Sequence, residues 1–337
     1  MRSEITKKDF FVALAIGIAL LIPYEYYMKT VEYWPAGYDV ASYDMWADWR
    51  GKVDDLSEDD IVIVGSSRGH FDINIHLWDS ITGVRPIMLA YPGSSPYHII
   101  EDLVEKSDFK GLLVISTAPG LFYTIEGSWG ANQGKTLVDH YYNRTYAQRF
   151  SNEVYKLIDP LFSYTQGTDL NLTSLKDRIP LKNREGVHGE RIWPPMVNMD
   201  KYRNVRMIKQ METDSALQKQ QTDIWFSPNP KNKYADSVDT VLGFYVNLVK
   251  KHKEKGGRVA FIRPPVSDYY LEMEPRLYPR EKYWDRMLKE SSCIGFHFKD
   301  HTKTQNMEPP EWSHLNRNDA DIFTESVIEF VKANQLL

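Results

Sequence analysis

The chain has 337 residues, 42% of them apolar and 26% charged, the make-up of a folded globular protein and not of a disordered one. Its 41 basic and 46 acidic residues leave a formal charge of −5, and no dense Lys/Arg stripe occurs beyond Lys250-Lys251-His252-Lys253, which argues against nucleic acid as a partner. The single cysteine, Cys293, has no partner for an internal disulfide, so the fold must be stable without one.

The N-terminus stands apart. Phe10 to Pro23 is an unbroken apolar run, preceded by Arg2, Lys7 and Lys8 and followed by Tyr24-Glu25-Tyr26-Tyr27-Met28. The run alone falls short of the roughly 20 residues that cross a bilayer, but tyrosines sit well at the headgroup level and extend it. Residues 1–29 therefore read as a cytoplasmic tip and transmembrane signal-anchor. The rival, a cleaved signal peptide, needs a small-residue cleavage site where this chain has Glu25-Tyr26-Tyr27-Met28. Basic residues before the span orient the N-terminus toward the cytoplasm. The chain is then expected to be a single-pass protein of a bacterial inner membrane, with its domain in the periplasm or outside the cell.

A polar, aromatic-rich connector, 30–57, leads into a domain spanning 58–337. Five compact apolar runs mark candidate strands: Ile61 to Val64, Pro86 to Ala90, Leu112 to Ile115, Val259 to Ile262, and Ile294 to Phe298. Short runs rich in Val and Ile without alternation fit strands covered on both faces, as in a parallel sheet. Helical segments between them complete an α/β layered pattern. Tyr234 to Lys253 has helical periodicity and stops at Gly256-Gly257, and a closing helix is expected over Ala320 to Ala333. Residues 120–231 show no clear strand pattern and are too many for a loop, so they read as an inserted helical cap, with one helical stretch over Leu137 to Leu161.

Two short motifs carry the chemistry. Gly65-Ser66-Ser67-Arg68-Gly69 follows the first strand, and Glu311-Trp312-Ser313-His314-Leu315-Asn316 precedes the last helix. A serine hydroxyl needs a base within hydrogen-bond reach and a third group to orient that base. Ser67, His314 and Glu311 are the candidates, with Asp300 and Glu308 as rival acids. Gly65 to Gly69 also satisfies the G-x-S-x-G elbow of α/β-hydrolases, but those enzymes place several strands before it. Arg68, a cation at the start of a helix, opposes the macrodipole and is read either as pairing with an acidic side chain or an anionic substrate, or as an exposed side chain snorkelling into solvent. His297 and His301 straddle a strand end, and no His/Cys cluster has ligand spacing, so no metal is expected. The stretch Gly130 to Thr136 fails the P-loop count, and no cofactor is expected.

The two motifs together resemble the SGNH/GDSL hydrolase superfamily. Gly65-Ser66-Ser67 matches its first block with Ser66 in place of Asp, and Glu311-x-x-His314 matches its last with Glu in place of Asp. Leu315-Asn316 and Ala320-x-x-Phe323-Thr324 are similar to the continuation found in membrane-anchored members. The resemblance implies a three-layer α/β/α, flavodoxin-like domain with a five-stranded parallel sheet. It also implies Gly93 of Tyr91-Pro92-Gly93-Ser94-Ser95 as an oxyanion donor. Where the family has an Asn donor after the third strand, Ser116-Thr117-Ala118-Pro119 has Ala118, leaving Thr117 as a substitute. The function implied is O-acetyl or acyl transfer to cell-envelope or exported polysaccharide beside a membrane-bound O-acyltransferase. The alternatives are a polysaccharide O-deacetylase and a catalytically silent glycan-binding or scaffold protein.

Overall fold

A computed structural model gives the structure of the protein over residues 6–30, 37–124, 127–163, 193–231 and 237–337. The five expected strands form one parallel sheet: β1 (Ile61–Val64), β2 (Ile87–Met88), β3 (Leu112–Ser116), β6 (Arg258–Arg263) and β7 (Ile294–His297), in the order β2-β1-β3-β6-β7. The register runs Val62 beside Leu113 and Leu113 beside Val259, so the even residues of β1 share a face with the odd residues of β3 and β6. Both faces are apolar, which is why these runs show no alternation.

Helices cover both faces, giving three layers. Val62, Val64, Leu113, Ile115, Val259 and Phe261 meet α2 (Tyr43–Gly51), α5 (Tyr97–Lys106), α7 (Trp129–Asn143), α11 (Val238–Glu254) and α13 (Trp284–Ser291). Ile61, Ile63, Leu112, Val114, Ala260 and Ile262 meet α4 (Ile75–Thr82) and the closing helix α14 (Arg317–Ala333). Strand β1 is followed by β2 on one side of it and β3 on the other. The sheet therefore has a topological switch point at the C-terminal ends of β1 and β3, the crevice where open α/β sheets bind ligands.

Three expectations need correction. The connector is not separate from the domain: α2 is part of the core, with Trp46 and Ala47 fully buried and the Trp46 indole donating to the Leu89 carbonyl. Its Arg50, also buried, pairs with Asp102 of α5 at 2.5 Å, which offsets the cost of enclosing the charge. The stretch Leu137 to Leu161 is two helices, α7 and α8 (Tyr146–Ile158), because Thr145 and Gln148 form a reciprocal capping box that starts a new helix. The insertion is not wholly helical. Beside α6 (Pro119–Phe122), α9 (Lys209–Thr213) and α10 (Ser215–Trp225) it contains an antiparallel pair, β4 (Val197–Met199) and β5 (Val205–Met207). Arg203, in the turn of that pair, is fully buried and donates to the carbonyls of Met88 and Ala90, satisfying the edge strand β2. Residues 164–192 of the insertion lie outside the described residues.

At the N-terminus, α1 (Lys7–Thr30) contains a 21-residue stretch, Lys7–Tyr27, of mean hydropathy 1.7 and almost wholly unburied. At 1.5 Å per residue it is about 30 Å long, enough to cross a bilayer.

Candidate active site

The site is assembled where β1 ends. Gly65 turns the chain at φ +151°, and a Cβ there would lie 2.7 Å from the Ser116 Cβ and 2.9 Å from the Ser116 carbonyl, so only glycine lets the end of β1 approach β3 this closely. The short helix α3 (Ser67–Phe71) starts at once, and Ser67 is its first residue.

On the other side, the loop before α14 is held in an unusual form. Trp312 has φ +75°, a left-handed conformation that costs a residue with a Cβ on the order of 1–3 kcal/mol. Its amide donates to the Pro309 carbonyl and its carbonyl accepts from the Ser267 amide, which fix the turn. The consequence is that Glu311 folds back onto His314. Glu311 Oε1 accepts from the His314 amide at 2.6 Å and lies 2.8 Å from His314 Nδ1. His314 Nε2 in turn lies 2.8 Å from Ser67 Oγ.

A carboxylate only accepts, so Nδ1 carries the imidazole proton and Nε2 is left as the acceptor for the serine hydroxyl. That is the tautomer a general base requires. Glu311 and His314 are both buried, at 0% and 1% exposure, which shields their hydrogen bond from competing water. The Phe71 ring packs against the imidazole at 4.7 Å between centroids.

Several buried partners were not legible in the sequence. Trp225, at the end of α10, donates its indole N–H to Glu311 Oε2 at 2.5 Å, so the insertion supplies the hydrogen bond to the acid's second oxygen. Asp72 is fully buried and accepts from the Leu315 amide at 2.9 Å, anchoring the chain directly after His314. Burial pushes its carboxyl well above the usual range, against the pull of that amide and of Arg68. The helix-start rules that expose a Ser67 turn say nothing about partners reached only through tertiary packing.

Arg68 is not a free cation facing substrate. It is 4% exposed, pairs with Glu274 of α12 (Asp268–Leu277) at 2.9 Å, donates to Ser313 Oγ at 3.1 Å and lies over the Tyr270 ring. Arg263, at the end of β6, also pairs with Glu274. Burial would raise the Glu274 carboxyl, but the two guanidiniums outweigh it and hold it below its ordinary range. The network ties the start of α3 to the residue preceding His314. Of the roles expected for Arg68, pairing with an acidic side chain is the one present.

Thr117 is likewise occupied. Its amide and hydroxyl both donate to the Ile262 carbonyl and its own carbonyl accepts from Arg263, so its donors are committed to the sheet and not to a developing oxyanion. Ala118, beside it, caps α6 without any side-chain donor. Gly93 sits at the same edge, because the Tyr91 amide donates to the Gly65 carbonyl. Its φ is +69°, and its N–H makes no hydrogen bond among the described residues. The Ser67 N–H makes none either.

The rival acids lie elsewhere. Asp300 makes a bidentate pair with Arg280 at 2.6 and 2.7 Å on the surface, and that guanidinium holds its carboxyl below the usual range. Glu308 is exposed. His301 stacks on Phe296, while burial and nearby cations push His297 down to about 3. No group of metal-ligating side chains occurs among the described residues. Gly130 to Thr136 lies within α7 and forms no phosphate loop.

Aromatic side chains rim the site. Trp129, 69% exposed, lies where a Gly93 Cβ would point, and the exposed Trp193 packs edge-on against Trp225, which in turn reaches His314. A cavity of about 130 Å³ lies beside Arg68's partners Tyr270 and Glu274, lined also by Thr117, Tyr123, Arg263 and His297. Set against known proteins, the sequence matches no family model and no curated protein.

Proposed function

We propose that the protein is a membrane-anchored serine acyl-ester enzyme of SGNH-like type that moves an acetyl or similar acyl group onto hydroxyls of an exported or cell-envelope glycan. The observation that carries the reading is the chain of contacts Ser67–His314–Glu311, at 2.8 Å each, placed at the switch point of a parallel sheet. The orientation given by Arg2, Lys7 and Lys8 would put this domain on the periplasmic or outer side, where such glycans are. The exposed Trp129 and Trp193 favour a sugar acceptor, since flat aromatic faces cover the apolar faces of pyranose rings at little entropic cost.

In this reading Ser67 Oγ attacks the ester carbonyl carbon while its proton passes to His314 Nε2. The carbonyl oxygen becomes an oxyanion facing the N–H groups of Ser67 and Gly93. Collapse breaks the ester bond, and the leaving alcohol takes the proton from His314. A glycan hydroxyl then gives its proton to His314, attacks the acyl-serine and leaves esterified, with Ser67 restored. Glu311 stabilises the imidazolium at both steps without taking the proton. Water in place of the glycan hydroxyl gives deacetylation by the same steps.

A second reading, a silent glycan-binding or scaffold protein beside a membrane-bound O-acyltransferase, is favoured by Ala118 and the committed hydroxyl of Thr117. A fluorophosphonate probe decides between them. Wild type and Ser66→Ala should be labelled and Ser67→Ala should not; an unlabelled wild type points to the scaffold, and labelling that survives loss of Ser67 removes the assignment.

A further inference from the structure

Helix α8 is amphipathic with its faces reversed. The side packed against α2 is polar: Asn152, its only buried residue, donates to Asp48 at 2.7 Å, and Lys156 pairs with the same carboxylate. The opposite side carries Tyr146, Phe150, Val154 and Leu157, spaced four, four and three apart and hence on one face, at 91%, 73%, 39% and 72% exposure. Single exposed apolar side chains are ordinary, but a continuous stripe on a helix that buries its polar side marks a binding surface.

The position of α8 says what covers the stripe. Just past its C-terminal end, the Ser163 amide donates to the Glu25 carboxylate at 2.9 Å, and Glu25 lies in the last turn of the Lys7–Tyr27 span. The Lys156 carbonyl accepts from the hydroxyl of Tyr38, near the point where the described chain resumes after α1. The end of α8 is thus pinned at the level where the span leaves the hydrocarbon, continuous with the membrane interface. Tyrosines such as Tyr146 suit that depth. We infer that α8 lies on the lipid surface, its Tyr146-Phe150-Val154-Leu157 face seated in the boundary between headgroups and acyl chains, as a second attachment of the domain to the bilayer beside α1. The inference rests on α1 being a retained anchor.

The full chain in lipid nanodiscs tests it. With Cys293→Ser as background, an environment-sensitive fluorophore is placed by Phe150→Cys on α8, by Ile16→Cys in α1, or by Glu325→Cys on α14 across the sheet. The label at 150 should lose most of its emission to lipids spin-labelled near the headgroup and be several-fold less quenched by aqueous iodide than the label at 325. Adding Val154→Glu and Leu157→Glu, both at exposed positions, should return iodide access at 150 to the level at 325. If the label at 16 is quenched by deep spin labels while that at 150 is as open to iodide as that at 325, the anchor stands and the docking is wrong. Protection of 150 without lipid quenching means that protein, and not lipid, covers the face, which also overturns the proposal. Absence of lipid quenching at 16 means the anchor reading itself has failed.

Discussion

On the His314 side of the site, the polar atoms have hydrogen-bond partners: the imidazole bridges Ser67 and Glu311, Glu311 accepts from Trp225 and from the His314 amide, and Asp72 holds Leu315. On the opposite side, where negative charge would develop on an ester bound at Ser67, neither Thr117 nor Ala118 offers a free side-chain donor. Thr117 is spent on Ile262, Ala118 has nothing to give, and what remains is the unbonded backbone of Gly93 and Ser67. The proton relay is built from side chains and can be dismantled one atom at a time. The anion side depends on backbone shape, so it is vulnerable mainly where that shape requires glycine.

The largest effect should come from the relay's centre. His314→Ala and Ser67→Ala should each lower turnover of a chromogenic acetyl ester by on the order of 10⁵- to 10⁶-fold, since members of a serine triad act as a unit. Retained turnover in Ser67→Ala would show that the relay is not the working site. Glu311→Gln comes next, at about 10⁴-fold, because an amide cannot accept from Nδ1 in the same way and also hold the imidazolium. Asp300→Asn serves as its control: an exposed pair with Arg280 contributes little, so activity should stay within about twofold of wild type. Equal damage by the two substitutions would misplace the acid.

Gly93→Ala probes the other side. An alanine there must adopt φ +69° and set its Cβ 2.4 Å from the Trp129 ring, so the loop must shift. Loss of one oxyanion donor corresponds to about 10²- to 10³-fold in kcat. The melting temperature should fall as well, because a left-handed φ costs a residue with a Cβ on the order of 1–3 kcal/mol. If kcat survives while only KM rises, Gly93 shapes the acceptor site with Trp129 and the anion is stabilised elsewhere.

The same contrast explains what could be read from the sequence. All five strands of the sheet are legible because each lies in a compact, mostly apolar run bounded by polar segments, and Ser67, Glu311 and His314 stand in short motifs whose spacing survives folding. Helix α2 is hidden because its buried residues are the consecutive Met45, Trp46 and Ala47 and a paired Arg50, a pattern without clear periodicity. Strands β4 and β5 are three residues each, too short for alternation to show. The break between α7 and α8 was written in Thr145 and Gln148, a capping signal outweighed by the apolar residues around it. Arg68 and Thr117 could be located but not assigned, since which acceptor a donor finds depends on segments 145 to 245 residues away, Ile262 for Thr117 and Ser313 for Arg68.

Trp225→Phe should give the smallest effect of the substitutions within the site, and it separates the insertion's role in orienting Glu311 from its role as cover. The indole N–H reaches Glu311 Oε2 at 2.5 Å, while Oε1 keeps both contacts with His314. Phenylalanine retains most of the packing against Trp193 and the imidazole and removes only the donor. A buried carboxylate oxygen left without its partner costs about 1–3 kcal/mol, less if water enters beside it. A fall of about tenfold in kcat with KM nearly unchanged is therefore expected, as the carboxylate's hold on the imidazolium weakens. The His314 Nδ1 proton resonance should shift as well, because its acceptor has been repolarised. Trp225→Ala, which also opens the aromatic rim, should lose more and raise KM. Should Trp225→Phe match wild type in both kcat and the Nδ1 resonance, the hydrogen bond has no catalytic part, and α10 serves the site only by closing it from solvent.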